Sequence, residues 1–293
     1  AALAEQTPLV LPRERPVPPG PVRAVSEDGP FGPLPRVASD GRTPFEVYAA
    51  AVPDSVLNSD RPRIAIVLGG MGLNPKLTRQ ALRDLPGAVT LAFAPYGDSV
   101  QTLAQEARAG GHEVMLHLPM EPFGYPAVDP GPKTLRAGDG AEANAENLSW
   151  LLSRFAGYAG VMNYMGARLS SDEAALRPVL DEISRRGLVY LDTGSSSRSL
   201  VRRVGRDVDM PVRRAQVIDD ASFDDIKRRL ARLEEEAHRT GFAIGSGTGL
   251  PVTIDAVQSW ARRLADRGID LVPASAIFKR RETPQSAAAD EGG

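Results

Sequence analysis

The chain has 293 residues, a formal net charge of -2, 42% hydrophobic residues and no cysteine. Lack of cysteine excludes disulfides, thiolate metal sites and cysteine nucleophiles. The near-neutral charge argues against a general nucleic-acid binder, and no apolar run reaches the about 18 residues of a membrane span.

In chain order, residues 1–60 come first, and the stretch PLVLPRERPVPPGPVRAVSEDGPFGPLP (8–35) is dense in proline. Proline supplies no amide proton to a ladder or helix, so this segment is predicted to be an extended tether. The alternative is a strap docked through Phe45 and Tyr48. From Arg61 to Arg281 one pattern recurs: a short apolar run, an amphipathic segment, a turn with glycine. The apolar runs are IAIVL (64–68), VTLAF (89–93), EVMLH (113–117), AGVMN (159–163), LVYLD (188–192), AQVID (215–219), FAIGS (242–246) and LVPAS (271–275). Each reads as a buried parallel strand. Between them, the segment 222–241 places Phe223, Ile226, Leu230, Leu233 and Ala237 on one helical face, with Ser222 as cap and Gly241 as stop. The segment 253–268 repeats the design with Thr253 as cap. The tail 282–293 is small and polar and is predicted to be disordered.

This order gives the α/β class, a single distorted (β/α) barrel of seven to eight short parallel strands over residues 61–281. A doubly wound open sheet is the alternative. Either fold puts chemistry where strands end and loops begin. Those positions carry Gly69–Gly70, Pro95–Tyr96, His117, Asn163–Tyr164, Asp192, Asp219–Asp220, Ser246 and Ser275. After the third run, HLPMEPFGYPAVDPGPKTL (117–135) is a long, proline-stiffened loop with the profile of a lid. Its rings, Phe123 and Tyr125, suit the apolar face of a sugar or pin the loop to the barrel.

Of the three histidines, His238 lies near a helix C-terminus and His112 in the turn before a strand, which leaves His117 placed for chemistry. His112 and His117 are roughly 16 Å apart on an extended strand and cannot share an ion. One imidazole with Asp192 or Glu121 makes a poor zinc site, because catalytic zinc takes three protein ligands. IAIVLGGMGLNP (64–75) lacks the third glycine of a dinucleotide loop, and GSGTGLP (245–251) lacks the lysine of a phosphate loop. SSSRS (195–199) lacks a nucleophile elbow.

Eight ordered blocks carry a resemblance: IAIVLGGMG (64–72), LPGAVTLAFAPY (85–96), GHEVMLHLPMEP (111–122), GVMNYMGARLSSD (160–172), LVYLDTGSSSRS (188–199), VIDD (217–220), GFAIGSG (241–247) and GIDLVPASAI (268–277). Together they resemble the divergent polysaccharide deacetylase family, bacterial envelope proteins with a distorted (β/α) barrel. The resemblance implies metal-dependent hydrolysis of an N-acetyl group, in which an ion polarises the carbonyl and activates water. It also implies paired aspartates where this chain has Gly69 and Gly70, and histidines where it has Tyr164 and Ser246.

The expectation is therefore a degenerate hydrolase with no metal ligand set and no cofactor. It would bind a polysaccharide or peptidoglycan glycan through His117, Glu121, Asn163, Tyr164, Asp192, Asp219 and Ser246, with Phe123 and Tyr125 stacking. The alternative is an active deacetylase that recruits His117, Asp192 and Glu121, with Asp219, to a rearranged site for a divalent metal such as zinc, or that works without metal through paired carboxylates. A further alternative is an envelope protein-interaction module docking through the proline-rich segment. The resemblance implies a periplasmic location, with a membrane anchor upstream.

Overall fold

A computed structural model describes residues 20–194 and 196–279. The 282–293 tail and the first 19 residues of the proline-rich segment lie outside the described residues. From residue 20 the segment packs on the barrel as a strap. It forms a hairpin of β1 (Ser26–Gly29) and β2 (Gly32–Pro35), then helices α1 (Pro44–Tyr48) and α2 (Asp54–Leu57). Thr43 and Glu46 cap α1 reciprocally. Tyr48 is 3% exposed. Arg108 lies 5.0 Å from its ring centroid, and its hydroxyl accepts the Val22 amide at 2.8 Å. The Phe45 ring meets Phe278 edge-on at 6.1 Å.

The barrel strands are β3 (Arg63–Met71), β4 (Thr90–Phe93), β5 (Val114–Met120), β6 (Gly160–Met165), β7 (Val189–Asp192), β8 (Val212–Arg214), β9 (Gln216–Val217) and β10 (Phe242–Thr248). They run in the order β8-β7-β6-β5-β4-β3-β10-β9, all neighbours parallel. The two ends of this path are consecutive in the chain. The Ala215 amide donates to Asp192 O at 2.8 Å and the Ile218 amide to Ser246 O at 2.9 Å. One bent strand, Val212 to Val217, therefore bonds both edges and closes the sheet. The fold is a (β/α) barrel, with crossover helices α3 (Pro75–Asp84), α4 (Val100–Gly110), α5 (Gly140–Leu152), α6 (Glu173–Arg185), α7 (Val201–Asp207), α8 (Phe223–Thr240) and α9 (Pro251–Ala261).

Alternation sorts each strand. Ile64, Ile66, Leu68, Leu91, Leu116, Val161 and Tyr190 face the helices. Ala65, Val67, Ala92, Met115, Met162, Leu191, Ala215 and Ile244 face inward, and three of these are alanine, as a narrow barrel requires.

Two predicted elements differ. The run 271–275 is not a barrel stave. It gives a two-residue strand, β11 (Asp270–Leu271), paired beside β3, followed by helix α10 (Ala274–Phe278). Pro273 has no amide for a ladder and caps α10 instead. Helix α10 then plugs the floor, with Ala274, Ala276 and Ile277 in the inner cluster. Thr253 is not a cap, because α9 opens two residues earlier with Leu250 as N-cap and Pro251 in its first turn. Helix α8 matches its prediction at both ends, with Ser222 accepting the Asp225 amide and Gly241 left-handed at φ 86°.

Candidate functional site

The strand C-terminal ends form the barrel mouth. Following Met115 inward, the next inward position on β5 is His117, and its ring leans on the end of β3. A Cβ built on Gly69 would stand 2.5 Å from His117 Cε1 and 2.9 Å from Nδ1. Glycine at 69 is thus the condition for the imidazole's place. His117 Nε2 lies 3.2 Å from Asn163 O. A carbonyl only accepts, so Nε2 carries the proton and Nδ1 is an acceptor. Burial pushes the imidazole down to about 4, so it is neutral at pH 7. Tyr164, one strand over, meets the ring edge-on at 5.2 Å and is 40% exposed.

The polar side chains around it bond one another. Asn163 Nδ2 donates to Thr193 Oγ1 and to Met165 O, both at 2.8 Å, and its Oδ1 accepts the Thr193 amide at 3.0 Å. Ser246 Oγ donates to Thr193 O at 2.8 Å. A hydrogen-bonded belt therefore runs from β5 through β6 and the end of β7 to β10. The carboxylates are engaged as well. Asp192 Oδ1 accepts the Gly194 amide at 3.0 Å and Oδ2 the Ser199 hydroxyl at 2.6 Å. Both oxygens of Asp219 accept the Thr248 amide at 2.8 Å, and Oδ2 also takes the Thr248 hydroxyl. Glu121 Oε2 accepts the Ala137 amide at 2.7 Å, and Oε1 lies 3.3 Å from Arg168 Nε.

Of the residues predicted from sequence, the mouth brings His117, Asn163 and Ser246 into this belt, and Tyr164 meets it through its ring contact with His117. Asp192, following outward Tyr190 and inward Leu191, turns back into its own loop. Asp219 ties the β10 end, and Glu121 fastens the lid.

The lid, residues 121–139, spans neighbouring loops. Tyr96 Oη donates to Pro132 O at 2.6 Å, and the Leu135 and Glu121 amides bond Pro119 O and Leu135 O. Tyr125 is spent inside it. Arg136 Nη1 donates to its hydroxyl at 3.0 Å and the guanidinium lies 5.2 Å from its ring. Phe123 is 55% exposed, with the Arg198 guanidinium 5.7 Å from its centroid. Leu73, Val128 and Leu250 are also exposed on loops of this face, and Phe223, the first residue of α8, is exposed rather than buried with Ile226, Leu230, Leu233 and Ala237 as its spacing predicts. Sequence reading missed Thr193, Arg198 and Thr248. Thr193 had a signal, since it follows Asp192 at a strand tip.

A divalent ion does not fit these donors. The space a side chain at 69 would need holds the His117 ring, Ser246 donates its proton to a backbone carbonyl, and each nearby carboxylate is taken by amides, hydroxyls or Arg168. Among the described residues no three His, Asp or Glu side chains converge.

The divergent polysaccharide deacetylase family model matches residues 66–278. The chain belongs to this family. It is 42% identical to an uncharacterized protein, ATU2773 from Agrobacterium tumefaciens C58, whose crystal structure superposes with a TM-score of 0.81 over 84% of this chain and 99% of that one. It is 26% identical over 226 residues to the uncharacterized protein YibQ of Escherichia coli (strain K12), covering 76% of this chain and 70% of that protein. A putative cellobiose-phosphate cleavage protein from Enterococcus faecalis V583 shares the fold, with 13% identity and a TM-score of 0.52 over 74% of this chain and 99% of that one.

Proposed function

We propose that this member of the family is catalytically degenerate and binds a glycan of the cell envelope at the barrel mouth. The carrying observation is the seating of His117 on Gly69. It supports a site whose polar groups are committed to each other rather than to an ion. The groups left to face a ligand are those of a carbohydrate site. Tyr164 offers an exposed phenol beside the His117 ring, and Phe123 offers an exposed ring for a sugar's C–H face. Asp192, Asp219 and Glu121 act here as supports for loops, not as contacts. Tyr125 holds the lid and does not stack. A periplasmic location and an anchor upstream of residue 1 complete the proposal, and both rest on the family resemblance.

The experiment is calorimetric titration of the full chain with N-acetylglucosamine oligomers and peptidoglycan fragments, with acetate followed in the same samples after zinc is added. The proposal expects saturable binding, weakened in Tyr164→Ala and Phe123→Ala, with no acetate released. Acetate release in step with turnover would replace it with an active deacetylase.

A further inference from the structure

Charge at the mouth is distributed unevenly. The carboxylates on the strand-end loops are Asp98, Glu121, Asp129, Asp139, Asp172, Asp192, Asp219 and Asp220. Besides the three described above, Asp129 accepts the Gly131 amide at 2.9 Å, Asp139 pairs with Arg136, Asp172 caps α6 through the Ala175 amide, and Asp220 takes Arg229. Asp98 lies on the loop after β4. Arg214 stands in register with Asp192, and its guanidinium donates to Ser196 O at 3.2 Å.

Three cations of these loops are paired. Lys133 binds Glu146, Arg136 binds Asp139 and Arg168 binds Glu121. Arg198 differs. Among the described residues its guanidinium has no carboxylate partner, it is exposed, and its side-chain contact is the face of Phe123. An exposed aromatic ring and an unpaired planar cation are thus held side by side, on the loops after β5 and β7.

We propose that the glycan taken by this mouth is an acidic one, with a sugar carboxylate on Arg198 and the same residue's apolar face against Phe123. This rests on the glycan reading above and names its substrate class. A guanidinium matches a carboxylate through two parallel hydrogen bonds. The ring beside it supplies the contact that orients the sugar. An amine-bearing sugar meets a like charge there and is disfavoured.

The test is calorimetric titration of the full chain with three oligosaccharides of equal length: oligogalacturonate, an N-acetylglucosamine oligomer and its deacetylated, amine-bearing form. The expected order of affinity is acidic, then neutral, then cationic. Arg198→Ala is expected to cost the acidic ligand roughly tenfold and the neutral one little. Arg198→Lys should recover part of that loss, and raised salt should weaken the acidic ligand most. Phe123→Ala should weaken acidic and neutral ligands alike. Arg198 and Phe123 are both exposed, so neither change threatens the fold. Equal affinity for acidic and neutral oligomers, unmoved by Arg198→Ala, would overturn the acidic assignment and leave the glycan reading standing. If none of the three bound the wild-type chain, both would fall.

Discussion

The His117 ring packs on Gly69, at a distance where a Cβ on residue 69 would lie 2.5 Å from Cε1. The imidazole fills the volume that a side chain at the end of β3 would otherwise take. Gly69→Ala should therefore force the ring out of place and destabilise the fold by about 1–3 kcal/mol, the usual range for overpacking. Combined with His117→Ala, the penalty should vanish, because the obstructing atoms are gone. Thermal unfolding of the two single variants and the double variant measures this coupling.

The same burial makes stability depend on pH. The His117 pKa is lowered from 6.5 to about 4 by desolvation, against a smaller opposing contribution from Asn163 O. The unfolded chain then binds a proton more readily than the folded one. Stability from this group is complete above pH 6.5 and is lost as pH falls towards 4. The loss should reach about 3 kcal/mol. Denaturant unfolding across this window should show the slope, and His117→Gln should remove most of it. A ring titrating near its ordinary value by nuclear magnetic resonance would contradict the described packing.

At the opposite end of the barrel, Glu113 joins the strap and the α10 plug to the floor. Its Oε2 accepts the Ala50 amide at 2.9 Å, and Oε1 accepts the Ser275 amide at 3.0 Å and the Thr90 hydroxyl at 3.3 Å. Glu113→Ala leaves these buried donors unmet and should cost roughly 3 kcal/mol or more. Hydrogen exchange should then accelerate together at Ala50 and Ser275, which lie 225 positions apart in sequence. Faster exchange at one of them alone would mean that strap and plug are held separately.

The two lid aromatics should behave differently. Phe123→Ala removes an exposed ring and should change stability by less than about 0.5 kcal/mol while weakening glycan binding. Tyr125→Ala removes the ring and hydroxyl that hold Arg136, and should loosen the lid, seen as faster proteolysis within residues 121–139.

Much of the barrel was legible because its strands are continuous apolar runs whose parallel pairing needs no turn signal. Strand β8 was not, since Val212, Arg213 and Arg214 offer one apolar side chain among three, and the chain enters the sheet there through backbone bonds to β7. The opposite error came at LVPAS, where an apolar run looked like a strand but contains Pro273. The candidate site divided in the same way. His117 and Tyr164 could be placed on the mouth from strand ends alone. The engagement of Asp192, Asp219 and Glu121 could not, because their partners lie from two residues away, at Gly194, to 47 away, at Arg168. Phe123 and Tyr125 differ because Arg198 lies over the first and Arg136 holds the second, contacts that spacing within the lid does not specify.

The central claim is that the polar groups of the mouth are committed to one another and do not assemble around a divalent ion. Titration of the full chain with zinc, read by calorimetry and by the His117 ring resonances, tests it most directly. No saturable site and unmoved resonances are expected. One zinc per chain, shifting the His117 signals and lost in both His117→Ala and Asp192→Ala, would contradict it.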